Sequence, residues 1–291
     1  MKRIVILGCE NSHANSFLTH IKERDELSDV EVVGVYSADT EAMQKLRDAF
    51  GVPTMDHFDD AVGKVDGVVV TARHGKHHLE YVRPYLDSVS AVFIDKPFTI
   101  DEDEAVTLAR LCKKHGVRLS GGSMLKFASI VKEARERVAS GAEGKTLGAE
   151  VRAPVSLQND YGDFFFYSQH LVEMVGEAFG RYPTAVAAFP TDGVITVAFR
   201  YPEYTVTGRF TEKNYVYAIT HELWDGPVTS VMPSDELGRC SYEEFATFAR
   251  LLRGGEQEEP LESFVAPVFI LNAIDRSLAS GKEEPVRRFT L

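Results

Sequence analysis

Three stretches of this 291-residue chain carry residue types that could do chemistry. The first is Asp95-Lys96-Pro97, which directly follows the apolar run Ala91 to Ile94. A carboxylate beside the ammonium would hold Lys96 charged and oriented, suited to hydrogen-bonding a substrate hydroxyl or stabilising an alkoxide. The second is His170, beside the apolar stripe Leu171, Val172, Val175 and Phe179, with Glu173 one turn on. An imidazole that titrates near neutrality is a natural general acid/base where it opens on a crevice. The third is Gly8-Cys9-Glu10-Asn11-Ser12-His13, after the run Ile4 to Leu7. A turn reading G-x-G-x-x-G at such a place lets backbone approach a pyrophosphate held at a helix N-terminus. Only Gly8 stands at a glycine position here, with Glu10 and His13 in the second and third.

These residues need elements to position them. From Arg3 to Gly121, short β-branched runs alternate with helical stretches, the pattern of βαβ units on a parallel sheet. The strands read as Arg3 to Leu7, Val30 to Tyr36, Gly67 to Thr71, Ala91 to Ile94 and Arg118 to Ser120. Ligands bind outside the carboxyl ends of such strands, which places both the Gly8 turn and Lys96 at the binding edge. Asp39 and Asp101 stand as N-caps of helices that end before Gly51 and Gly116. After Gly122 the grammar changes to alternating strands at Leu147 to Val155, Thr184 to Phe189, Val194 to Tyr201, Thr205 to Phe210 and Tyr215 to Thr220. That pattern predicts an open, mainly antiparallel sheet, covered on one face by helices at Tyr161 to Phe179, Ser241 to Arg253 and Glu262 to Ala279. The fold expected is α/β: a Rossmann-type parallel sheet over residues 1–121, and an α+β domain for substrate and oligomerisation over residues 122–291.

An acid at the end of the second strand would bind the ribose hydroxyls of a dinucleotide, but Ser37 stands there, and Asp39 two residues on reads as a cap. No Arg follows closely enough to specify a 2′-phosphate, so NAD and NADP both remain open. Glu10 and His13, with His74, His77 and His78, fall on one edge of the expected sheet, yet no ligand spacing fixes a metal, and none is expected.

The composition narrows the classes. With 44% hydrophobic and 26% charged residues the chain is an ordinary globular protein. A net charge of −12 repels a phosphate backbone, which weighs against nucleic acid as a partner. No apolar run approaches the roughly 20 residues of a bilayer span, and the apolar stretch Ile4 to Leu7 is too short for a secretion signal. Three scattered cysteines, Cys9, Cys112 and Cys240, suggest neither a disulfide framework nor zinc, and point to the reducing cytoplasm.

Taken in order, these segments resemble the glucose-fructose oxidoreductase / inositol dehydrogenase family, Gfo/Idh/MocA. The resemblance rests on Ile4-Val5-Ile6-Leu7-Gly8, Val68-Val69-Val70-Thr71, Phe93-Ile94-Asp95-Lys96-Pro97, where the family has Glu-Lys-Pro, Gly122-Ser123-Met124-Leu125-Lys126-Phe127, and the helix bearing His170. It implies NAD(P)-dependent oxidation or reduction of a sugar, polyol or related hydroxyl or carbonyl, with Lys96 and His170 catalytic. It also implies cofactor contacts from Gly8, Glu10, Asn11, Ser12, His13, Ser37, Thr71, Asp95 and Pro97, and a homo-oligomer, dimer or tetramer. The family's Asp one turn before the histidine is Phe166 here, with Tyr167 or Asp163 as candidate substitutes. With the missing glycines, this leaves two alternatives: an NAD-assisted or metal-dependent non-redox enzyme, or a non-catalytic sensor or assembly protein on the same fold.

Overall fold

Apolar runs too short to span more than a few rungs of a sheet, each followed by a capped amphipathic helix, set the first half of the chain. The computed structural model describes residues 1–291 and divides them into two compact units. One comprises Met1–Gly122, Ser241–Phe264 and Leu291; the other comprises Ser123–Cys240 and Val265–Thr290.

In the first unit, β1 (Lys2–Leu7), β2 (Val30–Tyr36), β3 (Gly67–Val70), β4 (Ala91–Asp95) and β5 (Arg118–Gly122) form a wholly parallel sheet in the order β2-β1-β3-β4-β5. Every residue of β3 and β4 is buried, which is why those segments read as continuous apolar runs. Outside β2, Val35 makes an isolated parallel bridge to Thr54, one rung where a further edge strand would sit. The main helices are α1 (Ser12–Glu23), α2 (Thr40–Phe50), α3 (His78–Val82) and α4 (Glu102–His115). Asp39 caps α2 by accepting from the Ala42 amide at 3.1 Å, and Asp101 caps α4 by accepting from the Asp103 and Glu104 amides. Gly51 and Gly116 end these helices in the left-handed conformation, as their sequence punctuation implies.

The second unit contains α5 (Ser129–Ser140), β6 (Thr146–Val155), α6 (Phe164–Phe179), β7 (Ala185–Thr191), β8 (Val194–Arg200), β9 (Thr205–Glu212), β10 (Ala218–Leu223) and β11 (Gly226–Val231). It also holds the start of α7 (Glu236–Leu252), most of α8 (Glu262–Ser280) and the short β12 (Glu284–Pro285). Its seven-stranded sheet runs β11-β10-β6-β9-β8-β7-β12 and is antiparallel except for the β6/β9 pair. Alternation along the strands buries Val151, Val197, Phe199, Val206 and Phe210 and leaves Arg152, Thr196, Thr207 and Arg209 only half-buried.

Three expectations change. The last expected strand shifts from Tyr215–Thr220 to β10, and β11 follows it across the Trp224-Asp225 turn. Buried His221 occupies an inward position of β10 and hides the alternation there, its Nε2 lying 3.0 Å from the Thr146 hydroxyl. The helix expected from Tyr161 starts only at Phe164, because Gly162 and Asp163 adopt positive φ, at 99° and 50°. The helix expected over Ser241–Arg253 to cover the antiparallel sheet begins earlier, at Glu236, and its second part covers the parallel sheet instead. There Phe245, Phe248, Ala249, Leu251 and Leu252 join one core with Ile4, Ile6, Phe17 and Phe93. The Phe17 ring lies 4.8 Å from Phe245 and meets Phe93 edge-on at 5.1 Å. Its amphipathic pattern shows that this helix buries a face, but not which sheet takes it. Phe245→Ala is expected to destabilise the protein by about 3–5 kcal/mol, read as a fall in the urea midpoint with unchanged slope.

Candidate active site

The chain passes from β1 outward to β2 and then back across to β3, so the sheet's switch point lies between β1 and β3. Gly8 follows β1 there with φ +76°, and a Cβ on it would lie 2.3 Å from the Cα of Ala72, in the loop after β3. Only glycine fits, for both reasons. Thr71 braces the same turn: its amide donates to the Leu7 carbonyl (2.8 Å) and its buried hydroxyl to the Gly8 carbonyl (3.0 Å).

Each side chain that replaces a glycine is tied to a neighbour within the unit. The two oxygens of Glu10 accept from the Ser37 hydroxyl at 2.7 Å and from the Arg73 amide at 3.0 Å. His13 is buried, with Nδ1 2.9 Å from Asp95 Oδ2 and its ring 5.8 Å from that of Phe17. Asn11 caps α1 by accepting from the His13 amide, and its Nδ2 donates to Asp95 Oδ2 at 3.1 Å. Ser12, exposed, donates to the Asn11 side-chain oxygen.

Asp95 therefore joins the turn to Lys96, whose amide donates to its Oδ1 at 2.7 Å. Burial pushes the Asp95 carboxyl up, but the charge and hydrogen bond of His13, with the Lys96 charge, outweigh it and hold the group below the usual carboxylate range. Burial pushes the Lys96 ammonium down; Asp95 and Glu244 oppose this, and Arg73 adds to it. The Lys96–Pro97 peptide is cis. Burial drives the Cys9 thiol, inside the turn, up to about 12, so it stays protonated.

The histidine loop does not gather. Both ring nitrogens of buried His78 face carbonyls, those of Phe98 at 3.2 Å and Ala72 at 2.8 Å. His74 accepts from the Lys76 amide, and His77 stacks on Tyr81. No three His, Cys, Asp or Glu side chains group as a metal site.

In the second unit His170 is buried on α6, with Nδ1 2.6 Å from the Ser123 hydroxyl. Leu125 donates its amide to that hydroxyl at 3.2 Å, and Glu173 accepts from the Ser123 amide (3.0 Å) and from Gln169 (2.7 Å). The ring lies edge-on to Tyr167 at 4.8 Å and to Tyr217 at 6.5 Å, and the two tyrosine hydroxyls are 3.3 Å apart. Asp163 instead accepts from the Asn159 amide, so of the two candidate substitutes for the missing acid only Tyr167 touches the ring. Gln169, Glu173, Tyr217 and, near Lys96, Glu244 carry no motif, and Ser123 lies in the junction segment Gly122 to Phe127 without being marked there as a site residue. Only the Glu173 spacing of three residues hinted at a link.

A parallel sheet with a glycine turn at its switch point and a buried lysine ending β4 defines a dinucleotide-binding, Rossmann-type unit. Residues 2–123 match the model of the Gfo/Idh/MocA oxidoreductase family, described as an NAD-binding Rossmann fold. Over 122 residues it is 29% identical to inositol 2-dehydrogenase 3 of Saccharopolyspora erythraea, covering 41% of this chain and 36% of that protein. The chain thus spans little more than a third of that curated relative. The structure of GenD2 from gentamicin A biosynthesis, in complex with NAD, superposes with a TM-score of 0.86 at 17% identity, over 98% of this chain and 96% of that one. Myo-inositol 2-dehydrogenase from Lactobacillus plantarum superposes at 0.85 and 15% identity, over 98% and 99%. These structural likenesses establish the fold.

Asp95 also sets a stability test. A carboxyl held low in the folded state contributes stability that is fully present above its unfolded value, about pH 3.9, and is lost as pH falls through the lower folded value. Asp95→Asn leaves Lys96 with only Glu244 as a counter-charge and is expected to cost about 3 kcal/mol near neutrality. Urea unfolding across pH should show this gap shrinking below about pH 4.

Proposed function

We propose that the protein is an NAD(P)-dependent oxidoreductase acting on a sugar, polyol or related hydroxyl or carbonyl compound. The observation that carries the reading is the buried Asp95-Lys96 pair at the carboxyl end of β4, wired to the switch-point turn through Asn11 and His13. The residues fit a dinucleotide: Gly8 keeps backbone-to-backbone contact with Ala72, and the side chains at the replaced glycines are held by Ser37, Arg73 and Asp95. Gly8, Glu10, Asn11, Ser12, His13, Ser37, Thr71, Asp95 and Pro97 are the residues proposed to hold or brace it. When bound, the nicotinamide supplies the hydride acceptor or donor. Lys96, whose ammonium Asp95 and Glu244 favour against its burial, hydrogen-bonds the reacting oxygen and stabilises negative charge on it. His170, its Nδ1 oriented by Ser123, takes or returns the hydroxyl proton at Nε2. Inositol 2-dehydrogenase among the relatives supports a polyol or sugar substrate.

No helix is long and apolar enough to cross a membrane, and the three cysteines are free and buried, which suits a reducing cytoplasm. We also propose a homo-oligomer. Arg152 and Arg209, in register on β6 and β9, each bury an Nε without a hydrogen-bond partner on a sheet face rich in Thr and Ala. A second copy would supply acceptors there. Light scattering is expected to report a dimer or tetramer that Arg209→Glu dissociates; a wild-type monomer overturns this.

Turnover is read as nicotinamide absorbance with a panel of inositols and sugars. Lys96→Met and His170→Asn are each expected to lower kcat by about 10²–10⁴-fold with unchanged circular dichroism. Full activity in Lys96→Met, or no reduction of either cofactor with any substrate, counts against the assignment.

A further inference from the structure

We infer that Glu10 is the ribose-reading acid of this protein, delivered from the first loop to the end of β2, and that it selects a dinucleotide with a free 2′-hydroxyl over one with a 2′-phosphate. The inference rests on the oxidoreductase reading above. In dinucleotide-binding sheets an acid at the end of the second strand accepts hydrogen bonds from the ribose diol. Here β2 ends at Tyr36, and Ser37 holds the acid's place. The nearby Asp39 is spent on the cap of α2.

Glu10 brings a carboxylate to that place from a position normally given to glycine. One oxygen lies 2.7 Å from the Ser37 hydroxyl, which in turn accepts from the Asp39 amide at 3.0 Å, so the hydroxyl hydrogen points at Glu10. The other oxygen is held by the Arg73 amide at 3.0 Å. The two bonds come from the loops after β2 and β3 and fix the carboxylate between them. An ionised carboxylate offers about four acceptor directions, two of which these bonds use. Two remain, the number a vicinal diol needs, and Glu10 is only half-buried. A 2′-phosphate would instead set its dianion against a fixed carboxylate, a like-charge contact of the kind that enforces specificity. The loss of the glycine and the loss of the β2 acid are thus one exchange, in which the acid has moved from the second strand to the first loop.

Arg73 lies beside this carboxylate in the loop after β3, and a guanidinium that captured a 2′-phosphate would reverse the preference, so the outcome is open to measurement. The test is calorimetric titration of the full chain, freed of carried-over dinucleotide, with NAD⁺ and NADP⁺. Wild type is expected to bind NAD⁺ about tenfold or more tighter than NADP⁺. Glu10→Gln, which keeps the size and acceptor but removes the charge, is expected to bring the ratio close to unity, chiefly by strengthening NADP⁺. Competition by 5′-AMP against adenosine 2′,5′-bisphosphate on wild type reads the same preference without any variant. Equal or tighter NADP⁺ binding, or an unchanged ratio in Glu10→Gln, overturns the inference while leaving the oxidoreductase reading intact. Discrimination without turnover of any substrate keeps the inference and removes the reading, and binding of neither dinucleotide removes both.

Discussion

The first unit is organised around one buried carboxylate. Asp95 ends β4 with no exposure to solvent, receives the Lys96 amide on one oxygen and Asn11 on the other, and has His13 Nδ1 2.9 Å away. Burying a carboxylate without such partners is prohibitively costly, so the strand can end in Asp only because the turn after β1 reaches across to meet it. The dependence runs both ways. Asn11 is the cap of α1, so the helix that starts the dinucleotide turn is anchored by the strand that carries Lys96. A change at either end moves the other.

This coupling explains how a turn can lose two glycines and keep its shape. The first glycine of the fingerprint makes the tight turn, the second admits the pyrophosphate, and the third permits close packing of helix on strand. Gly8 cannot be replaced, because the backbone of Ala72 fills the space a Cβ would need. The other two positions tolerate side chains when those side chains have somewhere to go. His13 fills the gap between α1 and β4 with an imidazole that serves Asp95, and Glu10 reaches sideways to Ser37 and Arg73. Polar contacts stand here where the G-x-G-x-x-G fingerprint uses the absence of side chains.

Much of the scaffold was legible because its rules are local. Strands buried on both faces appear as uninterrupted Val and Ile, and helix ends announce themselves through Asp39, Asp101, Gly51 and Gly116. The places of Lys96 and the Gly8 turn followed from topology, since both sit at strand ends. What stayed hidden depends on contacts far apart in sequence. Nothing local says that Phe245 and Phe248 return to pack on Phe17 and Phe93, or that His221 is an inward residue of a strand. The partner of His170 was hidden for the same reason: a search along its own helix finds Phe166, Tyr167 and Asp163, whereas the hydroxyl at its Nδ1 comes from Ser123, 47 residues earlier.

That displacement has a chemical meaning. A carboxylate on Nδ1 would hold an imidazolium by charge and so favour proton uptake at Nε2. A serine hydroxyl orients the ring through the same nitrogen but brings no charge, and here it is itself fixed by the Leu125 amide while Glu173 grips its backbone. Glu173 thus bears on the imidazole through the position of Ser123. The surrounding tyrosine rings add an apolar wall, and burial pushes the phenols of Tyr167 and Tyr217 up, so they stay neutral. In the function proposed above, the group that would stabilise charge on the reacting oxygen is Lys96, whose ammonium Asp95 and Glu244 favour against its burial.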